Sequence, residues 1–196
     1  MESQLARIEQ SFNARYSLRV REALDELHHN FTITDPAFPD HPIVFASRGF
    51  LKMSGFLREE VVGNNGRIFQ GPKTNRKTVM EIREAIREER AVRVHILNYR
   101  KDGTPFWMLF QMSPVFSKED GSGVHFIGVH VPLRRNKKIK REVCSDSLVE
   151  LTRFLALDTG TSCKGVEIEE SCEASELEKH RAATAINNIF VRASPL

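Results

Sequence analysis

The residues best suited to do chemistry lie in the stretch from Gly63 to Thr74, which reads GNNGRIFQGPKT. Its glycines, followed by a lysine and a threonine, approximate a phosphate-binding loop, in which backbone N–H groups surround a phosphate and the lysine directly follows the last glycine. Gly66 and Gly71 have the required separation. Pro72, however, stands between the second glycine and the lysine. Because proline removes an N–H donor where the loop needs one, the sequence argues against this kind of site.

Other catalytic or metal-binding chemistry has little support in the sequence. Cys144, Cys163 and Cys172 form no Cys-x-x-Cys pair and have no histidine at ligand spacing, which argues against a zinc site or a disulfide framework. No Ser/His/Asp or Cys/His set stands in register, and Asp102 and Glu119 belong to turns. We therefore do not expect an enzyme or a metal site.

Charge and hydropathy restrict the partners and the compartment. The net charge of +3 is too small to indicate nucleic acid by itself. Arg134 to Arg141 contains six basic residues, and Glu167 to Glu178 contains six glutamates. Such opposite charge blocks favour a solvated tail, with a nuclear-import signal or a patch for an anionic surface as the alternatives for the basic run. With no run of about 18 apolar residues and no signal segment, we expect no membrane partner and a cytoplasmic or nuclear protein.

Hydrophobic periodicity divides the chain into three parts. Residues 1–30 predict an amphipathic helical cap with a break near Ser17. Residues 31–133 contain two short β-type runs, then short helical segments including one over 75–89, and then three strands: VRVHILNY, PFWMLFQMSPVF and VHFIGVHV. This order predicts an α+β domain with a five-stranded antiparallel sheet and short helices across one face. Residues 134–196 predict a charged, largely flexible tail with a short helix over SLVELTRFLALD and a C-terminal helix over SELEKHRAATAINNIF.

Both faces of the predicted sheet are apolar, although an antiparallel sheet normally leaves one face in water. Alternation places Val94 and Phe110 on one face and Leu97 and Trp107 on the other. We therefore expect the N-terminal helix or a second copy of the domain to cover the second face. The predicted apolar positions of the C-terminal helix are Leu177, Ala185, Ile186 and Ile189.

Five ordered segments resemble the LOV branch of the PAS domain family. They are ITDPAFPDHPIVFAS, FLKMSGFLREEVVG, RIFQGPKTNR, ILNYRKDGTPFW and FIGVHV, and GNNGRIFQGP resembles the family signature GRNCRFLQGP. The resemblance covers nearly all of Phe31 to Leu133, and the flanks are similar to the amino-terminal module of plant PAS/LOV (twin-LOV) proteins. It implies a PAS fold and, in the family, light-driven addition of a cysteine thiol to carbon C4a of bound FMN.

The resemblance also implies roles for particular residues. Gly66 stands at the position of the adduct-forming cysteine, so the adduct cannot form by that route. Arg67 and Arg76 match the two arginines that hold the phosphate. Met108 replaces a ring-contacting asparagine, and His130 replaces the glutamine that bonds flavin O4 and N5. The amides that match positions facing the ribityl chain and ring are Asn65, Gln70 and Asn98. Because the two lost ring contacts and the two arginine contacts are of similar energy, the sequence leaves FMN binding open.

Three functions follow from these observations. The first is a PAS-type interaction module of a plant blue-light signalling protein, which dimerises or holds a regulatory partner through its outer sheet face and N-terminal helix. The second is an FMN-binding blue-light sensor that works without a cysteinyl adduct. The third is a nuclear or nucleic-acid-associated regulator that uses Arg134 to Arg141, for which a basic run without interleaved aromatic residues is weak support.

Overall fold

The computed structural model of the protein describes residues 3–117, 121–133 and 173–193. The helices are α1 (Gln4–Arg15), α2 (Leu18–Glu26), α3 (Arg48–Ser54), α4 (Arg58–Val61), α5 (Arg76–Arg87) and α6 (Glu176–Ala193), with a 3₁₀ turn over Gly66–Phe69. The strands are β1 (Phe31–Thr34), β2 (Ile43–Ala46), β3 (Val92–Tyr99), β4 (Pro105–Phe116) and β5 (Gly123–Pro132). None of the described helices is long and apolar enough to cross a bilayer. The predicted helix over SLVELTRFLALD, the basic run and the three cysteines lie outside the described residues.

The strands form one antiparallel sheet in the order β2-β1-β5-β4-β3. Leu97 pairs with Trp107, and Phe110 pairs with His130, so the side chains alternate between the faces as predicted. The turn between β3 and β4 passes through Gly103 at a φ of 82°, a conformation that favours glycine. The predicted α+β fold with a five-stranded antiparallel sheet is confirmed.

Local side-chain chemistry fixes where the short helices begin and end. The Ser17 hydroxyl accepts a hydrogen bond from the N–H of Val20 at 3.4 Å, so the predicted break near Ser17 is the N-cap of α2. Ser47 caps α3 in the same way by accepting the N–H of Phe50 at 3.2 Å. Gly55 ends α3 in the left-handed conformation, at a φ of 78°.

The inner face of the sheet packs against α5. Val94, Met112 and Phe126 form one buried cluster with Ala85 of this helix. The helix is amphipathic, and its partly buried apolar residues Ile82 and Ile86 pack on the same cluster. The strands and α5 thereby enclose the space in which the candidate site lies.

The outer face of the sheet is covered by α1, α2 and α6. Their buried residues form one cluster with the sheet: Ile8, Phe12, Tyr16, Leu24, Phe31, Ile33, Val44, Phe45, Ile127, Val129, Ala185, Ile186, Ile189 and Ala193. Of the two predicted covers, the N-terminal helix and a second copy, the structure shows the N-terminal helices on this face. The C-terminal helix shares that role, although the sequence assigned it to the tail.

One predicted apolar position of α6 differs from the structure. Leu177 is 59% exposed, whereas Ala185, Ile186 and Ile189 are buried as predicted. Leu177 precedes Ile186 by nine residues, and nine residues of an α-helix rotate the side chain by about 180°. Leu177 therefore points away from the sheet.

Candidate functional site

A cavity of about 150 Å³ lies between the inner face of the sheet, α5 and the 3₁₀ turn. It is lined by Thr32, Thr34, His41, Ile43, Asn65, Gly66, Arg67, Phe69, Gln70, Val79, Ile82, Arg83, Ile86, Ile96, Asn98, Phe110, Met112 and His130. A cavity of this size admits roughly one aromatic ring. Six of the eight predicted site positions are on its wall, and Arg76 and Met108 are not.

The second arginine of the cavity is Arg83 rather than Arg76. Arg76 is the first residue of α5 and is exposed, outside the cavity lining. Arg83 follows seven residues later, which on a helix is nearly the same face, about 10 Å further along the axis. The cavity lining thus includes Arg83 on this helix face and not Arg76, and the assignment of a phosphate to Arg76 stays a prediction. The signal for Arg83 was its position beside the apolar residues Val79 and Ile82.

Met108 lies behind the cavity wall. Its side chain is 1% exposed, and its Sδ atom is 3.8 Å from Asn98 Nδ2 and 3.4 Å from His130 Nδ1. The thioether thus fills the space between two polar side chains, as a flexible apolar residue often does in a core.

His130 is a buried and neutral imidazole. Its Nε2 atom is 3.1 Å from Thr32 Oγ1, and the rings of Phe50 and Phe110 lie 4.5 Å and 5.0 Å from its ring. Burial lowers the pKa of His130 to about 3, because the site disfavours the charged ring. With Thr32 on one ring nitrogen and Met108 on the other, His130 has both nitrogens engaged.

Asn98 carries the polar atom that the described protein leaves unsatisfied in this cavity. The side chain is 6% exposed, and its Oδ1 atom has no hydrogen-bond partner in the described part of the chain. Because a buried acceptor without a partner is costly, the position favours a ligand that presents an N–H or O–H group.

A strained loop brings charge and a second histidine to the opposite wall. Asp40 and His41 both adopt positive φ, 67° and 51°, which non-glycine residues rarely do. Asp40 forms an ion pair with Arg67, and both side chains are more than half exposed. The His41 ring lies 2.9 Å from Thr34 Oγ1, and burial lowers the pKa of His41 despite nearby Asp35 and Asp40. Sequence reasoning did not identify His41, because the loop PAFPDHP has no periodicity.

The described fold agrees with what comparison with known proteins shows. The PAS domain profile matches residues 30–131. The chain is also 53% identical to Protein TWIN LOV 1 of Arabidopsis thaliana, over 93% of this chain and 51% of that protein. The chain belongs to the LOV branch of the PAS domain family. The predicted family resemblance is confirmed.

Other LOV proteins are similar over the same region. Phototropin-2 of Oryza sativa subsp. japonica is 41% identical over 74% of this LOV chain, which spans 17% of that protein. The light-state structure of the blue-light photoreceptor Aureochrome1 LOV is 38% identical to this chain, with a TM-score of 0.53. The match covers 67% of this chain and 97% of the Aureochrome1 chain. The chain spans about half the length of TWIN LOV 1.

The wall of this LOV domain fits part of FMN. Asn98 Oδ1 is suited to accept an N–H of a flavin ring, and the guanidinium groups of Arg67 and Arg83 are suited to a phosphate. His130 has no free ring nitrogen for the polar edge of the ring system.

We expect His130 to make this LOV domain sensitive to mild acid. In the unfolded chain this histidine binds a proton as the pH falls below about 6.5. In the folded chain it binds the proton only when the pH falls to about 3. The free energy of unfolding therefore falls by about 1.4 kcal/mol for each unit by which the pH is lowered within this window. His130→Gln should remove the part of the slope that His130 contributes, a difference of about 2 kcal/mol near pH 5, measured by urea unfolding at several pH values.

The matched control is His180→Gln, since His180 lies on α6 and is exposed. It should leave the slope unchanged. A small slope is expected to persist in His130→Gln, because burial lowers the pKa of His41 as well. If the slope of the His130→Gln variant equals that of the unmodified chain, His130 is not the group that titrates.

Proposed function

We propose that this LOV domain is a regulatory protein-interaction module of a blue-light signalling protein, not an enzyme, and that it forms no cysteinyl–flavin adduct. The observation that carries the proposal is Gly66, which lines the cavity at the position that the family resemblance gives to the reactive cysteine. The thiolate is the nucleophile in such chemistry, and glycine supplies no sulfur.

Illumination tests the absence of the adduct. The unmodified chain, incubated with FMN, should show no reversible loss of flavin absorption under blue light. Gly66→Cys places a thiol in open space, because an added Cβ at Gly66 meets no heavy atom within 4 Å. If FMN binds, this variant should lose flavin absorption in light and recover it in darkness, whereas the matched variant Gly66→Ser should not. Reversible bleaching of the unmodified chain would contradict the proposal.

The interaction role is supported by the helices that cover the outer sheet face. They leave apolar side chains in water: Leu5 is 43% exposed, Leu18 is 63% exposed and Val191 is 77% exposed. These exposed apolar side chains on the flanking helices are available for contact with a regulatory partner or a second copy. Light scattering across a range of protein concentrations separates the two, since a monomer at every concentration excludes the homodimer.

The second candidate function is an FMN-binding sensor that works without the adduct, and the unsatisfied Asn98 Oδ1 atom favours it. We expect Arg83→Ala to weaken FMN binding by roughly tenfold or more, because it removes a charge-assisted contact with the phosphate. Riboflavin, which has no phosphate, should bind the unmodified chain and the Arg83→Ala variant with equal affinity. Quenching of flavin fluorescence measures both affinities.

Arg76→Ala is the matched control, because Arg76 lies on the same helix outside the cavity. Its FMN affinity should equal that of the unmodified chain. The FMN function is excluded if the unmodified chain binds neither FMN nor riboflavin.

A further inference from the structure

A second concavity lies outside the cavity of the candidate site. It is a groove of about 530 Å³ between α1, α2, β2 and α4, and it shares no lining residue with the first cavity. Its floor includes the buried side chains of Phe12, Val44 and Phe45. Leu5 and Leu18 also line it and are exposed. The groove therefore combines buried apolar side chains, with the Arg58 guanidinium over the Phe45 ring, and exposed leucines, and its volume is in the range of ligand sites.

The charged residues of the groove are mainly acidic. Its lining includes two guanidinium groups and four carboxylates: Arg21, Arg58, Glu9, Glu22, Asp25 and Glu59. Asp25 pairs with Arg58 at 3.2 Å. The three glutamates have no ion-pair partner within the described part of the chain. An acidic rim of this kind attracts a cationic partner and repels anionic lipid or nucleic acid.

Arg21 adds a donor that lacks an acceptor. One of its terminal nitrogens bonds Asn13 Oδ1, but its Nε atom is removed from solvent and has no acceptor in the part of the chain that the structure describes. A buried N–H without an acceptor is costly, so Arg21 is a locally unfavourable feature beneath the groove surface.

From these features we infer that the groove docks a basic amphipathic peptide segment of a partner protein. An aliphatic or aromatic side chain of the segment packs on the exposed side chains of Leu5 and Leu18. Lysine or arginine side chains on either side pair with Glu9 and Glu22. This inference rests on the proposed interaction role and names its surface and partner chemistry, as in other cases of an amphipathic helix in a groove.

The probe is a fluorescein-labelled helical peptide of about 14 residues, with leucines at i, i+3, i+4 and i+7 and lysines elsewhere. Fluorescence anisotropy with the full chain should show saturable binding that weakens as salt rises, because salt screens the charge pairs. The same peptide with glutamates in place of lysines should bind at least about tenfold more weakly.

Two groove variants and two matched controls locate the binding. Leu18→Glu and Glu22→Lys should each weaken the lysine peptide by about tenfold. Leu177→Glu and Glu81→Lys make the same changes at exposed positions outside the groove and should leave the affinity unchanged. Equal thermal unfolding of all four variants confirms that each is folded.

Three outcomes overturn the inference. They are binding of the acidic peptide as tightly as the basic one, binding of the basic peptide that Leu18→Glu does not change, and a dimer of the free protein that Leu18→Glu dissociates. The last result would assign the groove to a second copy. The illumination test of Gly66→Cys is independent of all three, so the adduct proposal and this inference can fail separately.

Discussion

Replacing Asp35 by alanine is expected to lower the free energy of unfolding by about 4 kcal/mol. Asp35 follows β1 and is fully buried, and its carboxylate accepts the Ala37 N–H at 2.8 Å and the Ser11 hydroxyl at 3.2 Å. His125 Nε2 lies 3.4 Å from the same carboxylate, without hydrogen-bond alignment. Removal of the carboxylate leaves the half-buried Ser11 hydroxyl and the Ala37 N–H without this acceptor, and it leaves a cavity beside the buried His125 ring.

The same cluster ties the N-terminal helix to the sheet. Ser11 belongs to α1, and Tyr16 is the residue directly after the end of this helix. The Tyr16 hydroxyl is 3.1 Å from His125 Nδ1. Burial raises the pKa of Tyr16 to about 12, so the hydroxyl stays protonated. The Asp35→Ala variant should therefore also lose protection of the α1 amides in hydrogen exchange.

The pH dependence of this contribution follows from the pKa of Asp35. Burial raises that pKa, but His125, the Ala37 N–H and Ser11 together hold it below its ordinary value of 3.8. A carboxyl with a lowered pKa stabilises the folded state above its ordinary pKa, and the contribution is lost as the pH falls through the folded value. The difference in stability between the unmodified chain and Asp35→Asn should stay constant at neutral pH and shrink below 3.8.

Urea unfolding at neutral pH is the measurement, and Asp25→Ala is the control. Asp25 also forms an ion pair, with Arg58, but both side chains are a third or more exposed. An exposed pair of this kind contributes about 0.2–1 kcal/mol. If Asp35→Ala costs no more than Asp25→Ala, the buried cluster does not stabilise the fold.

Local patterns allowed most of the elements to be predicted from the sequence. The spans of β3 and β4 match the predicted runs VRVHILNY and PFWMLFQMSPVF, since each strand carries its own alternation. The cluster of Asp35, Tyr16 and His125 left no such signal. Tyr16 and His125 are 109 residues apart, and only the tertiary fold brings them together.

The candidate site shows the same division between local and non-local information. Asn65, Gly66, Arg67 and Gln70 form one continuous stretch, so the family resemblance placed them together on the cavity wall. The resemblance could not show that both nitrogens of His130 are engaged, because its partners come from other strands. The unsatisfied Asn98 Oδ1 atom was likewise invisible in the sequence.

The outer face of the sheet shows why covering helices matter for function. The apolar residues of this face predicted that something covers it, and helices α1, α2 and α6 of the same chain do so. A second copy or a regulatory protein therefore meets the outward sides of these helices, unless it displaces one of them. The stability of α6 on the sheet decides between these two modes of binding.

Replacing Ile189 by alanine is expected to destabilise the protein by about 3 kcal/mol. Ile189 is fully buried in the outer cluster, where α6 packs against β4, β5 and α2. Truncation removes buried methyl groups and leaves a cavity that the rigid sheet fills only in part. Urea unfolding of the full chain, followed by tryptophan fluorescence of Trp107 on β4, measures the loss.

Val191→Ala is the matched control on the same helix. Val191 is 77% exposed, so its truncation should change the free energy of unfolding by no more than about 0.5 kcal/mol. If both variants have the stability of the unmodified chain, α6 contributes nothing to the folded domain. The outer face would then be open to a partner, and the domain would end at residue 133 as the sequence predicts. A large loss for Ile189→Ala alone instead makes α6 part of the core, so that any partner on this face must bind over it.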